Sequence, residues 1–382
     1  MASTQHTPTE LEAAGDLVLP AADELAGSFP LTHNLHPATP EEYNEIMSTL
    51  AFGKKFTDHM AHMRWTREGG WNGRGVIPYG PLELTPGASV FHYCQSVFEG
   101  IKAYKREDGS VWTFRPGYNA ARLNHSARRL ALPELSREDF VASLVDYVRA
   151  DVKWVPDVDG SSLYLRPFMF ASEEFVGVHP AGVVDYYVIG SPSGPYFKGG
   201  LSGVAIWVER EYHRAGPGGT GSAKAGGNYA ASLLPQIQAE AKGFSQVCFL
   251  DTYEGKYLEE LGGMNMFVVM ADGVIRTPEL TGVILEGGTR SAILRMLRDQ
   301  GVDVREEKIA LSEVVDGIRS GAVAEVFACG TAAVVTPITR LGGDDFDVEI
   351  AVGDKTREIH KRLTDIQWGR AEDPYGWTYR LA

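Results

Sequence analysis

The sequence predicts a mixed α/β chain of two domains, and three features lead there. Segments with apolar residues at helical spacing alternate with short runs rich in β-branched and aromatic residues. The stretch from Ser191 to Gly203, SPSGPYFKGGLSG, concentrates Gly, Pro and Ser between two structured halves, as interdomain connections do. At 382 residues and 44% hydrophobic content, the chain is long enough to give each half its own core.

Taken in order, residues 1–29 are small, polar and acidic, too poor in apolar surface to repay ordering alone, and are expected to form a flexible or loosely docked arm. Residues 30–190 are expected to form a small α/β domain. Within it PEEYNEIMSTLAF and REDFVASLVDYVRADV have helical spacing, and VWTFRP, SLYLRPFMF and DYYVIGSP have strand composition. The linker is placed at 191–203 and the larger domain at 204–382. That second domain opens with the strand VAIWVE and a glycine-rich loop, then continues through the strand QVCFLD. NMFVVMADGVIRTP follows as a hairpin turning at Asp272-Gly273. TRSAILRMLRDQG and LSEVVDGIRSG are amphipathic helices, and DKTREIHKRLTDIQWG is a charged C-terminal one.

Charge narrows the function. A formal net charge of −14 offers little to a nucleic acid or an anionic membrane, which need clustered Lys and Arg. Cys94, Cys248 and Cys329 are far apart with no C-x-x-C, so neither a disulfide framework nor a metal site is expected, and a reducing cytoplasm fits. The first residues lack signal- or transit-peptide character, and no apolar run approaches membrane-spanning length.

The most informative stretch is Gly218 to Ser232, GGTGSAKAGGNYAAS, where Lys224 sits among glycines and small residues. Confinement disfavours an ammonium and supplies the neutral amine that attacks an aldehyde, so Lys224 is either a covalent imine anchor or a solvated loop lysine. Gly216 to Gly221 also spells G-x-G-x-x-G. A dinucleotide loop, however, needs a strand leading in and a helix leading out, where this chain has EREYHRA and KAGGN.

Other segments decide between these readings. AKAGGNYAAS resembles the lysine segment of fold-type IV pyridoxal-phosphate enzymes. SVFEGIKAY, SLYLRPFMF, EELGGMNMF, LEGGTRSAI and ACGTAAVVTP are similar, in order, to the remaining blocks of the branched-chain amino acid aminotransferases. The resemblance spans roughly residues 30 to 380, and six ordered blocks are hard to produce by chance. It implies the two-domain fold of that family, with a small α/β N-terminal domain, a larger mixed-sheet, barrel-like C-terminal domain and the cofactor between them. It also implies amino transfer between L-leucine, L-isoleucine or L-valine and 2-oxoglutarate, giving branched 2-oxo acids and L-glutamate, in a homodimer.

By the same resemblance, Lys224 carries pyridoxal 5'-phosphate as a Schiff base and shuttles the proton at substrate Cα. Glu260 pairs with the pyridine nitrogen, and a negative neighbour favours the protonated ring. Its neighbour Glu259 is expected to point the other way, as a solvated strand glutamate. Tyr229 matches the tyrosine at the phenolic oxygen, and Arg122 the phosphate arginine, while Arg128 and Arg129 are expected to be surface charges. Gly288 and Thr289 open a helix whose N-terminus binds the cofactor, Leu285 is a further cofactor-binding position, and Thr331 adds a hydroxyl and an amide. Tyr93, Phe98, Tyr164 and Val178 match the apolar substrate pocket. Lys102 and Arg166 are its basic residues, fit for the γ-carboxylate of glutamate, and the amides of Thr331 and Ala332 match the α-carboxylate site.

Departures from the family pattern also carry meaning. Ala333 and Thr336 stand where some members have a C-x-x-C thiol switch, and Gly263 where some have a threonine. Three alternatives are weighed against this reading: D-amino acid transamination or aminodeoxychorismate cleavage on the same fold, a nicotinamide-dependent oxidoreductase, and a non-catalytic scaffold. A scaffold has no need of the lysine, glutamate, tyrosine and arginine together.

Overall fold

The computed structural model describes residues 8–195 and 201–382. The chain forms two compact units, Met1–Tyr196 with Ile366–Ala382, and Phe197–Asp365.

The first unit is built on an antiparallel sheet. Its strand order is Thr378–Arg380, Val111–Phe114, Ile101–Lys105, Ser162–Ala171, Val183–Ser193, His59–Thr66 and Gly70–Pro78, with Ser96–Phe98 also pairing Ser162–Ala171. The helix Arg137–Ala150 buries Phe140, Val141, Leu144 and Val148 in one core cluster with Met63, Val76, Val184 and Val188 of the strands. Ser136 caps that helix by accepting the Asp139 N–H at 2.9 Å, which satisfies one of the donors a helix start leaves open.

Three expectations change here. The N-terminal segment is docked among its described residues, because two neighbouring helices supply the partners it lacks on its own. Thr9 and Glu12 form a reciprocal capping box that starts the helix Glu10–Gly15. Leu11 then packs on Tyr118 and Ala121, and Phe29, 1% exposed, joins the main core. Asp146 accepts the Gly27 and Phe29 N–H groups at 2.8 Å each. Residues 1–7 of the expected arm lie outside the described residues.

The expected linker begins inside a strand. Ser191, Pro192 and Ser193 pair with Tyr164, Leu163 and Ser162. Proline is tolerated there because the pairing to His59–Thr66 on the other side stops at Val188, so no ladder on that side asks for its missing N–H. Residues 196–200 of the linker lie outside the described residues. The C-terminal 17 residues, Ile366–Ala382, belong to the first unit rather than the second. There Thr378–Arg380 pairs with Val111–Phe114 and Leu381 is fully buried.

The second unit carries a mixed sheet ordered Leu258–Leu261, Gln246–Leu250, Val204–Glu209, Val334–Gly343, Val323–Gly330, Asn265–Met270, Ile275–Pro278 and Val304–Glu307, with Phe346–Glu349 on Val334–Gly343. Val204–Glu209 runs parallel to both its neighbours, and Ile275–Pro278 is parallel to Val304–Glu307. The hairpin expected at Asp272-Gly273 forms, with Gly273 at φ +92, a left-handed position open to glycine at no steric cost. The helices Gly288–Asp299, Leu311–Ser320 and Asp354–Gln367 follow their apolar periodicity. Among the described residues no helix is long and apolar enough to cross a membrane.

Candidate active site

In the second unit Lys224 sits just before the short helix Gly226–Ala231, and its Nζ donates to Tyr229 Oη at 2.8 Å. The five-residue spacing places the tyrosine on the first turn of that helix, above the lysine. The loop before it is held by its own side chains. Asn228 donates to the Thr220 and Ala223 carbonyls at 2.7 and 2.9 Å and accepts from the Thr220 hydroxyl at 2.6 Å. Gly221 is required, because a Cβ there would lie 2.2 Å from the Val283 carbonyl oxygen. At Gly263 a Cβ would meet the Tyr229 ring at 3.7 Å, so a side chain at this position would pack on the tyrosine.

Glu260 is 2% exposed on the strand Leu258–Leu261. One of its oxygens, Oε1, accepts the Leu285 N–H at 2.7 Å and pairs with Arg214 Nη1, also at 2.7 Å. Burial pushes its carboxyl up to about 7, and Arg214, the Leu285 N–H, Lys224 and Arg290 pull it back down. Arg214 itself is buried, its Nη1 also donating to the Val283 and Gly221 carbonyls at 3.1 and 3.3 Å.

Arg214 escapes a reading of the sequence because it lies in the charged run EREYHRA, where it looks solvated. A lone arginine immediately before a glycine loop is the available signal. Glu259, expected to be solvated, is also buried, at 9% exposure. Alternation does send it to the other face of the strand from Glu260, but all four residues of Leu258–Leu261 are buried, so that face is covered too.

The helix Gly288–Asp299 starts at Gly288 with Gly287 as N-cap, a residue with no side chain to cap it, and its N-terminus carries the positive end of the helix dipole. Thr289 lies one residue inside the helix, not at the cap, and is 9% exposed. Gly287 must lack a side chain, since a Cβ would lie 2.1 Å from Asn265 Oδ1, whose amide holds the Leu285 carbonyl at 3.0 Å. Thr331, Ala332 and Ala333 form the turn between Val323–Gly330 and Val334–Gly343, closed by the Gly330↔Val334 pair. Val334 has φ +60, a conformation costing a β-branched residue roughly 1–2 kcal/mol, which the paired strands enforce.

In the first unit Phe98, Lys102, Tyr164 and Arg166 share one sheet face, because Lys102 stands opposite Tyr164 and Phe98 opposite Phe168. Arg166 Nη2 donates to Tyr164 Oη at 2.9 Å, and its guanidinium carbon stands 4.6 Å from the Phe98 ring centre. Burial lowers the Lys102 amine to about 8. Gly100 gives Tyr164 its space, since a Cβ there would be 2.3 Å from the tyrosine oxygen.

Arg122, on the helix Pro116–Arg129, is held by the fully buried Glu99 through Nε and Nη2 at 2.8 Å each, and Asn119 donates to the same carboxylate at 2.7 Å. Such a planar two-point pair fixes the guanidinium plane. Glu99 is a second residue of this arrangement that the sequence alone does not single out; its signal is a lone charge inside the apolar block SVFEGI. Arg128 is exposed and pairs with Glu134.

Tyr93 and Val178 do not join the sheet-face group. Tyr93 is 42% exposed and its hydroxyl donates to the Val176 carbonyl, while Val178 is 86% exposed. Cys248 and Cys329 are buried, with thiols pushed up to about 12 by burial. No group of His, Cys, Asp or Glu among the described residues could hold a metal ion.

The lysine, phenol and buried carboxylate–arginine pair, with a helix N-terminus in the same unit, form a donor set that fits an aldehyde, a phenolic oxygen, a pyridine nitrogen and a phosphate.

Comparison with known proteins agrees with that chemistry. Residues 96–341 match the family described as amino-transferase class IV. The chain is 48% identical over 360 residues to the branched-chain-amino-acid aminotransferase of Mycolicibacterium smegmatis, covering 92% of this chain and 98% of that one. It is 46% identical over 337 residues to branched-chain-amino-acid aminotransferase 2 of Bacillus subtilis, covering 87% and 92%. Among solved structures, the branched-chain aminotransferase of Thermoproteus uzoniensis with norvaline superposes with a TM-score of 0.70 at 27% identity, covering 84% of this chain and 100% of that one. The branched-chain amino acid aminotransferase of Thermobaculum terrenum, in its PLP-bound holo-form, gives 0.67 at 25% identity, covering 84% and 98%.

Proposed function

The chain belongs to the amino-transferase class IV family, among its branched-chain-amino-acid aminotransferases, and on that premise we propose how its own residues divide the reaction. That reaction is the reversible transfer of the amino group from L-leucine, L-isoleucine or L-valine to 2-oxoglutarate, and its cofactor is pyridoxal 5'-phosphate. When bound, the cofactor supplies an aldehyde for the amino group and a conjugated ring that takes up the electron pair left at substrate Cα.

Lys224 would hold the cofactor through Nζ, and the same atom would move a proton to and from substrate Cα. Tyr229, already bonded to Nζ at 2.8 Å, steadies negative charge on the neighbouring ring oxygen. Glu260 would pair with the ring nitrogen, and Arg214 with the Leu285 amide favours its ionised form. Gly288, Thr289 and Thr331 offer N–H and hydroxyl donors to the phosphate, and Arg122 adds its charge. On the substrate side, Phe98 and Tyr164 give an apolar wall for branched side chains. Arg166 and Lys102 give that face the charge a γ-carboxylate needs, and the amides of Thr331 and Ala332 take the α-carboxylate.

A homodimer accounts for Tyr93 and Val178. They lie with Phe91, Phe175 and Val176 on two exposed segments joined by the Tyr93–Val176 hydrogen bond, a surface suited to a second copy. Placed there, both residues would complete the substrate pocket of the other subunit. A cytoplasmic setting agrees with three unpaired cysteines.

The observation that carries the assignment of roles is the Lys224–Tyr229 bond in the same unit as the buried Glu260–Arg214 pair. In the test, purified protein is yellow, loses its long-wavelength band on addition of L-leucine, and keeps it with D-alanine. A colourless protein that gains no mass at Lys224 on hydride reduction overturns the assignment. Sedimentation at micromolar concentration tests the dimer, which a monomeric, fully active species would exclude.

A further inference from the structure

The second carboxylate of the EELGG block is not used by the reaction, and its surroundings are unusual. Glu259 is 9% exposed, and among the described residues its carboxylate has no hydrogen-bond or ion-pair partner. It lines a cavity of about 340 Å³ that lies wholly within the second unit, on the face of the strand opposite to Glu260. Its oxygens are not among the buried polar atoms left without a partner, so they open onto the cavity, where a counter-charge would offset the cost of confining a carboxylate. Burial, with Asp251 and Glu260 nearby, pushes it up to about 7.

Two of the other lining carboxylates are already engaged. Asp251 accepts the N–H groups of Glu254, Lys256 and Tyr257 at 2.7 to 2.9 Å, and Glu307 is tied to Arg276 at 2.5 Å. Lys308 also lines the cavity, with its ammonium 5.1 Å from the Tyr257 ring centre. The rest of the lining is mixed: Tyr257, Leu258, Pro278, Val283 and Ile284 give an apolar wall, and Thr252, Glu254, Glu279 and Thr281 add polar and acidic groups.

We propose that this cavity is a binding site, separate from the active site, for a small organic monocation with a planar amidinium or guanidinium head and an apolar body, held by Glu259. A planar fork matches a carboxylate through two parallel hydrogen bonds and is more weakly hydrated than an ammonium. The apolar walls take the body of the ligand, and Lys308 disfavours a second positive charge. An anion is excluded by the number of carboxylates. A metal ion is disfavoured because no ligand cluster forms among the described residues. The cavity is at the small end of ligand sites, which typically begin near about 300 Å³, so a single-ring ligand suits it.

The test uses holoenzyme and benzamidinium, a probe chosen because primary amines would react with the cofactor. Titration calorimetry should give saturable binding of one probe per chain, and the probe should not compete with L-leucine. The near-isosteric Glu259→Gln should weaken binding about tenfold or more, while visible absorption and leucine turnover stay as in the parent. Lys308→Met should tighten binding by removing a like charge, which keeps the proposal testable if Glu259→Gln proves unstable. Absent saturation, affinity indifferent to both substitutions, or competition with L-leucine would each overturn the site. Because leucine turnover is followed in the same samples, failure here is distinguishable from failure of the aminotransferase assignment.

Discussion

Replacing Arg214 with leucine tests the electrostatic centre of the site. The side chains of Arg214 and Glu260 are 2% and 3% exposed, and their charged atoms are 2.7 Å apart. Removing one partner of such a buried pair costs about 3–5 kcal/mol, because the other charge is left desolvated. At roughly 2–4 °C per kcal/mol for a unit of this size, melting of the apo protein should fall by on the order of 10 °C. Glu260 should titrate higher than its present value near 7, because the arginine is the largest influence pulling it down. At neutral pH more of it would then be protonated, and the pH at which turnover rises should move upward. The double variant Arg214→Leu with Glu260→Gln should recover part of the lost stability, since no unpaired charge remains. An Arg214→Leu protein with parental melting and an unmoved pH profile, or a double variant whose losses simply add, would refute the pairing.

Three further outcomes are expected. Lys224→Ala should lower turnover at least about 10³-fold with melting little changed, because the residue is used for covalent chemistry and proton transfer; parental single-turnover rates would contradict this. Gly100→Ala should raise the KM for glutamate more than that for leucine, because the new Cβ would stand 2.3 Å from Tyr164 Oη and displace the partner of Arg166; equal effects on both substrates would argue against it. Apo-protein stability should decline as pH rises from the ordinary glutamate value toward 7. Glu259 and Glu260 are both raised to about 7 in the folded state, so the folded protein binds more protons than the unfolded one across that window. Denaturant titrations at pH 5 and pH 8 check it, and greater stability at pH 8 would contradict it.

The roles assigned to Lys224, Tyr229 and Glu260 rest on the resemblance of their sequence blocks, whereas several of their local placements follow from short spacings. The lysine and the tyrosine five residues later lie in one loop and helix start, so local geometry alone brings Nζ to Oη. Strand alternation was enough to send Glu259 and Glu260 to opposite faces. The helix at Gly288 and the hairpin at Asp272-Gly273 were likewise set by neighbouring residues.

What the tertiary structure alone decided were the partners. Arg214 meets a glutamate 46 positions further along, Glu99 holds Arg122 from a different element, and the N-terminal and C-terminal segments find their cores on the first unit. The burial of Glu259 depends on what covers the second face of its strand, and the exposure of Tyr93 and Val178 on what does not cover theirs. Periodicity states which way a side chain points, whereas burial and pairing depend on whichever distant segment packs there.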